Sequence, residues 1–223
     1  MSSRLIVFDC DGTLIDSQAN ICRAMEDCFG RAKLDPPDRH ATRRIVGLSL
    51  VEAMQALLPE ADGDLHVALA EDYKLAFQRL RAVSGLTDEP LYPGVAEVLA
   101  ELNAAGWLLG VATGKSDRGL ALCLDHHGLN RHFVTLQTAD RHPSKPHPSM
   151  LETAMAEAGA TPETTLMIGD TRFDMLMAAA ANTTGIGVDW GYHDAPELRA
   201  AGAAHVLSDA RDLPALAERL LAA

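Results

Sequence analysis

Nowhere does this 223-residue chain gather the basic residues that a nucleic-acid backbone requires. With 31 Asp and Glu against 19 Lys and Arg, a formal charge of −12 repels polyphosphate, which excludes nucleic acid as a partner. Long apolar runs are missing as well. The opening Met1-Ser2-Ser3-Arg4 leads into Leu5-Ile6-Val7-Phe8, shorter than the roughly 7–15 residues of a signal-peptide core. Neither secretion nor a membrane span is therefore expected, and the expected location is cytoplasmic. Cys10, Cys22, Cys28 and Cys123 form no CxxC pair, so they read as buried free thiols rather than disulfides or zinc ligands. Repeats and low-complexity tracts are also absent. What remains is a hydrophobic content of 48%, enough for one sizeable core, alone or with a small accessory domain.

Short apolar runs alternate with segments of helical periodicity, the pattern of a parallel sheet covered on both faces. The expected strands are Leu5–Phe8, Leu108–Ala112, Phe133–Leu136, Leu166–Ile168, Gly185–Val188 and His205–Leu207. Expected helices are Val95–Ala105, halting at Gly106; Arg118–His127, halting at Gly128; and Ser149–Ala158, entered by Pro148 and halting at Gly159. The fold class is doubly wound α/β. From about Ser17 to Ser84 no strand is legible. Leu65, Leu69, Tyr73, Ala76, Leu80 and Val83 fall three and four apart and mark one helix face. This stretch reads as a helical cap domain over residues 17–85, inserted into a core of residues 1–16 and 86–223. Its close entry and its turn-rich exit, Gly85-Leu86-Thr87-Asp88-Glu89-Pro90, suit hinges.

Asp9-Cys10-Asp11-Gly12-Thr13-Leu14 stands at the carboxyl end of the first strand, the edge where open α/β sheets bind ligands. A second acidic pair, Asp170 and Asp174 in Gly169-Asp170-Thr171-Arg172-Phe173-Asp174, follows another apolar strand and should reach the same edge. Four carboxylates in one cleft raise one another's pKa unless a cation compensates, and hard oxygen ligands favour Mg²⁺. Thr113-Gly114-Lys115-Ser116 ends a strand and opens a helix, offering a hydroxyl and backbone N–H groups to an anion. Lys145 lies between prolines just before another helix. Carboxylates for Mg²⁺ beside a Thr hydroxyl, a Lys ammonium and helix N-termini describe a phosphoryl site.

These four pieces, in this order, resemble the motifs of the haloacid dehalogenase-like hydrolase superfamily, over nearly the whole chain. The helical insertion is similar to that of the subgroup with phosphoglycolate phosphatase and β-phosphoglucomutase. The resemblance implies a Rossmann-like core, a cap that closes over the site, and a small phosphorylated metabolite as substrate. It implies that Asp9 attacks phosphorus to form an aspartyl-phosphate, and that Asp11 protonates the leaving oxygen, then deprotonates the attacking water. Thr113 and Lys145 would bind the transferring phosphoryl group, with Gly114 and Lys115 beside them. Mg²⁺ would be held by Asp9, the backbone carbonyl of Asp11, and Asp170, with Asp174 in support. In the cap, Arg43, Arg44, Gly47 and Ser49 match a substrate-facing loop, and an Arg there is expected to meet a distal anion.

Asp11 argues against dehalogenase and phosphonate-cleaving relatives, which lack an acid at that position. A phosphomutase shares the whole catalytic set, but the mutase hinge histidine has no counterpart in Asp16-Ser17-Gln18-Ala19-Asn20. A silent phosphate-binding module would normally have lost the nucleophile or the acid, and neither is lost. Phosphoglycolate is the first choice of substrate by resemblance, ahead of sugar phosphates. Oligomeric state is not legible.

Overall fold

A computed structural model describes residues 3–84 and 89–221. Its elements run β1 (Ser3–Phe8), α1 (Gln18–Arg31), α2 (Arg39–Arg44), α3 (Leu50–Leu57), α4 (Gly63–Ser84), α5 (Val95–Ala104), β2 (Leu108–Thr113), α6 (Asp117–His126), β3 (Thr135–Thr138), α7 (Ser149–Ala158), β4 (Ala160–Gly169), α8 (Arg172–Ala180), β5 (Thr184–Val188), α9 (Ala195–Ala200), β6 (His205–Leu207) and α10 (Leu213–Leu221). The six strands form one parallel sheet in the order β3-β2-β1-β4-β5-β6. This is the doubly wound, Rossmann-like α/β fold. The order reverses at β1, so the carboxyl ends of β1, β2 and β4 meet at the switch point where such sheets bind ligands.

The continuous apolar run of β1 serves both faces. Ile6 and Phe8 join the cluster with Val98, Leu99 and Leu213 of α5 and α10, while Leu5 and Val7 face Met150 and Leu151 of α7 and Met177 of α8. Each such side chain contributes roughly 1.5–3 kcal/mol by leaving water. α7 ends at Gly159 in the left-handed conformation, and Gly106 and Gly128 follow α5 and α6 in the same conformation. All four cysteines are buried and free. No helix among the described residues is long and apolar enough to cross a membrane.

Helices α1 to α4 carry a core of their own around Met25, Phe29, Met54, Leu69 and Tyr73. Leu69, Tyr73 and Ala76 are buried there, with Leu65 and Leu80 packed against them. Val83, expected on the same face, is instead 90% exposed, because the last turn of α4 extends past the packed part. Gly85–Asp88 lie outside the described residues. Glu89 is fully buried, taking Arg81 at 2.6 Å and Asn20 Nδ2 at 3.0 Å, so the return to the sheet is anchored.

Two strands differ from expectation. β3 begins at Thr135 rather than Phe133, because Phe133 caps the 3-10 turn Asn130–His132 and packs edge-on against Phe8. β4 begins at Ala160, six residues before Leu166. Its polar start is held by Thr165 Oγ1 donating to the Thr161 carbonyl and by Ala160 pairing with Ser3.

Candidate active site

Asp9 follows the last residue of β1, and its backbone N–H donates to the Ile168 carbonyl of β4, which fixes the two acidic segments side by side. One oxygen each from Asp9, Asp170 and Asp174 lie within 4.8 Å of one another, and all three residues are buried. Lys145, 1% exposed, bridges two of them, with Nζ 2.8 Å from Asp9 Oδ1 and 2.6 Å from Asp174 Oδ1. Asp174 also closes the capping box of α8, its Oδ2 accepting from the backbone N–H and hydroxyl of Thr171. Asp170 accepts from Thr13 Oγ1 at 2.8 Å and from the Tyr192 N–H at 2.9 Å.

The charges do not balance. Three buried carboxylates face one ammonium, and Asp9 Oδ2 is buried with no hydrogen-bond partner. Burial pushes Asp9 up to about 7 against the pull of Lys145, with Asp174 adding to the rise. Asp170 is pushed well up, first by burial and then by Asp9 and Asp174. Burial disfavours the Lys145 ammonium, yet Asp174 and Asp9 outweigh it and hold its pKa above the ordinary value. A divalent cation fits this trio: the donors are all hard oxygens, one of them unsatisfied, and a double positive charge restores the balance.

Beside the trio lies a cavity of about 560 Å³ between the sheet edge and helices α1 to α4, lined at its sheet end by Asp9, Asp11, Thr113, Gly114 and Lys115. Gly47 lines it from the insertion, at φ +98°, with a Cβ there reaching 3.1 Å from Thr171 Oγ1. Gly114 is pressed closer still: an added Cβ would sit 2.8 Å from the Leu48 carbonyl oxygen. The Ser49 N–H donates to Ser144 Oγ at 2.8 Å. The insertion therefore sits directly on the strand ends that carry the motifs.

Not every expected residue takes its expected place. Arg44 turns away from the cavity to a two-bond ion pair with Glu197 of α9, and Arg43 donates to the Gly191 carbonyl at 3.1 Å. Neither arginine lines the cavity. The Asp11 carboxylate stands apart from the acidic trio, held by Lys115 at 2.7 Å and by the Ser17 hydroxyl. Sequence reasoning missed Tyr192, whose N–H positions Asp170 and whose ring packs under Gly12; no local pattern marks it. Thr13 was within reach of such reasoning, as the hydroxyl in the Asp11-Gly12-Thr13 turn.

Solved structures share this fold. A hydrolase from Pseudomonas syringae superposes with a TM-score of 0.86 at 27% identity, covering 98% of this chain and 99% of that one. The protein named Probable phosphatase IndB of Dickeya dadantii (strain 3937) is 38% identical over 202 residues, 88% of this chain and 86% of its own. A phosphoglycolate phosphatase of Mesorhizobium japonicum is 32% identical over 202 residues, 87% and 86% of the two chains. Residues 6–188, from β1 to the end of β5, match the haloacid dehalogenase-like hydrolase model, and the chain belongs to that family.

Proposed function

We propose that this haloacid dehalogenase-like phosphatase hydrolyses a small phosphomonoester in two displacements at Asp9, with Mg²⁺ held by Asp9, Asp170 and Asp174. The observation that carries the reading is the state of Asp9: Lys145 fixes Oδ1, while Oδ2 is buried and unbonded. A carboxylate so held has one oxygen oriented for attack, and its orientation is prepaid by folding.

In the first displacement Asp9 forms a bond to phosphorus as the ester oxygen leaves, and Asp11 gives that oxygen its proton. In the second, Asp11 takes a proton from water, whose oxygen attacks phosphorus and frees Asp9. Thr113 and Lys145 bind the phosphoryl oxygens, and the Thr113 hydroxyl accepts from the Lys115 N–H at 3.2 Å, which leaves its own proton to donate. When bound, Mg²⁺ supplies the positive charge that both the carboxylates and the phosphoryl oxygens lack. Helices α1 to α4 act as the cap that keeps bulk water from the site.

The test is phosphate release from a panel of small phosphoesters, with Mg²⁺ and with chelator, for wild type and Asp9→Asn. The expected result is turnover at kcat/KM of about 10⁴ M⁻¹s⁻¹ or above on the preferred ester, lost with either change. Substantial turnover by Asp9→Asn would sink the assignment. Isomerisation of a sugar phosphate without release would mark a mutase.

A further inference from the structure

Resting on the phosphatase reading above, we infer that the preferred substrate is the phosphate ester of an alcohol bearing a bulky, mainly apolar ring system, not a short acid or a sugar. The cavity beyond the acidic trio is the reason. Its volume is about 560 Å³. Such a volume lies within the roughly 300–1,000 Å³ of pockets that enclose drug-sized molecules. A phosphoryl group with a two-carbon acid leaves most of it unfilled.

The walls name the chemistry. Away from the sheet edge the cavity is bounded mainly by Ile21, Met25, Val46, Leu50, Tyr73 and Phe77, with Glu52 and Gln78 among the polar side chains between them. Sugar hydroxyls placed against Ile21, Met25, Val46, Leu50 and Phe77 lose water without gaining a partner. A short acid needs a cation, and three of the four lysines and arginines in the lining are engaged. Lys115 is held by Asp11 at 2.7 Å, Arg81 by Glu89 at 2.6 Å and Lys74 by Glu71 at 2.8 Å. Arg118, exposed on the first turn of α6, is the lining cation with no acidic partner among the described residues.

Rings suit the same wall. Tyr73 and Phe77 stand with centroids 5.9 Å apart and tilted by 44°, and Met25 offers its thioether, surfaces that favour aromatic neighbours. The Tyr73 hydroxyl donates no hydrogen bond among the described residues, which leaves it for one heteroatom of the ring. A ring-bearing alcohol fills the volume and buries its apolar surface while its ester end reaches Asp9.

Four esters of primary alcohols test this, chosen so that aryl leaving-group reactivity plays no part: phosphoglycolate, glucose 6-phosphate, 2-phenylethyl phosphate and 1-naphthylmethyl phosphate, each with Mg²⁺. The two arylalkyl esters should exceed phosphoglycolate in kcat/KM by at least about ten-fold, the factor that even one well-buried methylene supplies. Phe77→Ala should raise their KM more than it raises that of phosphoglycolate. Leu50→Trp, which fills the cavity from α3, should lower kcat/KM for the naphthylmethyl ester more than for phosphoglycolate. If phosphoglycolate or glucose 6-phosphate leads, or if Leu50→Trp affects all four alike, the inference is overturned while the phosphatase reading stands. Phosphate release from none of the four, nor from any ester of the wider panel, overturns both.

Discussion

The Lys115 ammonium stands 2.7 Å from Asp11 Oδ1, and the two side chains are 8% and 13% exposed. They come from the turns after β2 and β1, so the pair ties two neighbouring strand ends across the mouth of the cleft. Burial disfavours the Lys115 ammonium, but Asp11 together with Cys10 and Cys123 more than offsets it, and the lysine stays charged. Sequence reasoning set Lys115 on the phosphoryl group. The structure sets it on the acid that is proposed to handle the proton.

Lys115→Met separates these two roles. A residue that positions Asp11 acts on the chemical step, so kcat should fall by about 10²-fold, the scale of general acid–base contributions, while KM changes little. A phosphoryl ligand would give the other pattern, with KM rising as binding is lost. Steady-state kinetics on the preferred ester decide it.

Arg44→Ala tests whether Arg44 serves the substrate or only its ion pair with Glu197. The Arg44–Glu197 pair is part-exposed, with side chains 37% and 27% accessible, and such pairs contribute about 0–1 kcal/mol. Urea denaturation should therefore move by no more than that, and KM should stay within about two-fold. A KM increase beyond ten-fold would return Arg44 to the substrate.

Much of the site was legible because its signals are local. Leu5–Phe8 is an uninterrupted apolar run, and Asp9 and Asp11 follow it at once; the glycines after α5, α6 and α7 mark those helix ends directly. Contacts that distant residues decide were not legible. Arg44 finds Glu197, 153 residues further on, and no periodicity records such a partner. Tyr192 reaches Asp170 and Gly12 only through the return of the chain after β5. The start of β4 was missed because Thr161, Thr164 and Thr165 bond to one another and to backbone rather than supply an apolar pattern.

Gly12→Ala should break the site from its turn. Gly12 has φ +87°, and an added Cβ would lie 2.2 Å from Asp170 Oδ2 and 2.5 Å from the Tyr192 ring. The backbone conformation alone costs about 1–3 kcal/mol for a residue with a side chain, and Asp170 must also move. A stability loss of at least about 2 kcal/mol is expected, along with loss of most turnover. An unchanged urea midpoint with full activity would show that the turn tolerates a side chain.

Acid should weaken the fold through its buried and half-buried histidines. His127, His132 and His142 all have pKa values lowered from 6.5, in each case chiefly by burial. His142 is held on both sides, by Gln137 Oε1 and by Ser149 Oγ, each at 2.8 Å. Folding thus favours the neutral ring. Below pH 6.5 the unfolded chain binds protons that the folded chain refuses, so this contribution is present above 6.5 and is lost as pH falls toward the folded value. Asp9 has the opposite sign in metal-free protein: burial pushes it up to about 7, so its unfavourable charge is relieved on acidification. The readout that isolates the histidine is a difference between two proteins. Urea midpoints of wild type and His142→Gln are measured at about pH 7.5 and about pH 5, on either side of the ordinary histidine value. The variant cannot gain that proton, so it should lose less stability on acidification than wild type. Equal losses would mean that His142 titrates alike in the folded and unfolded chains.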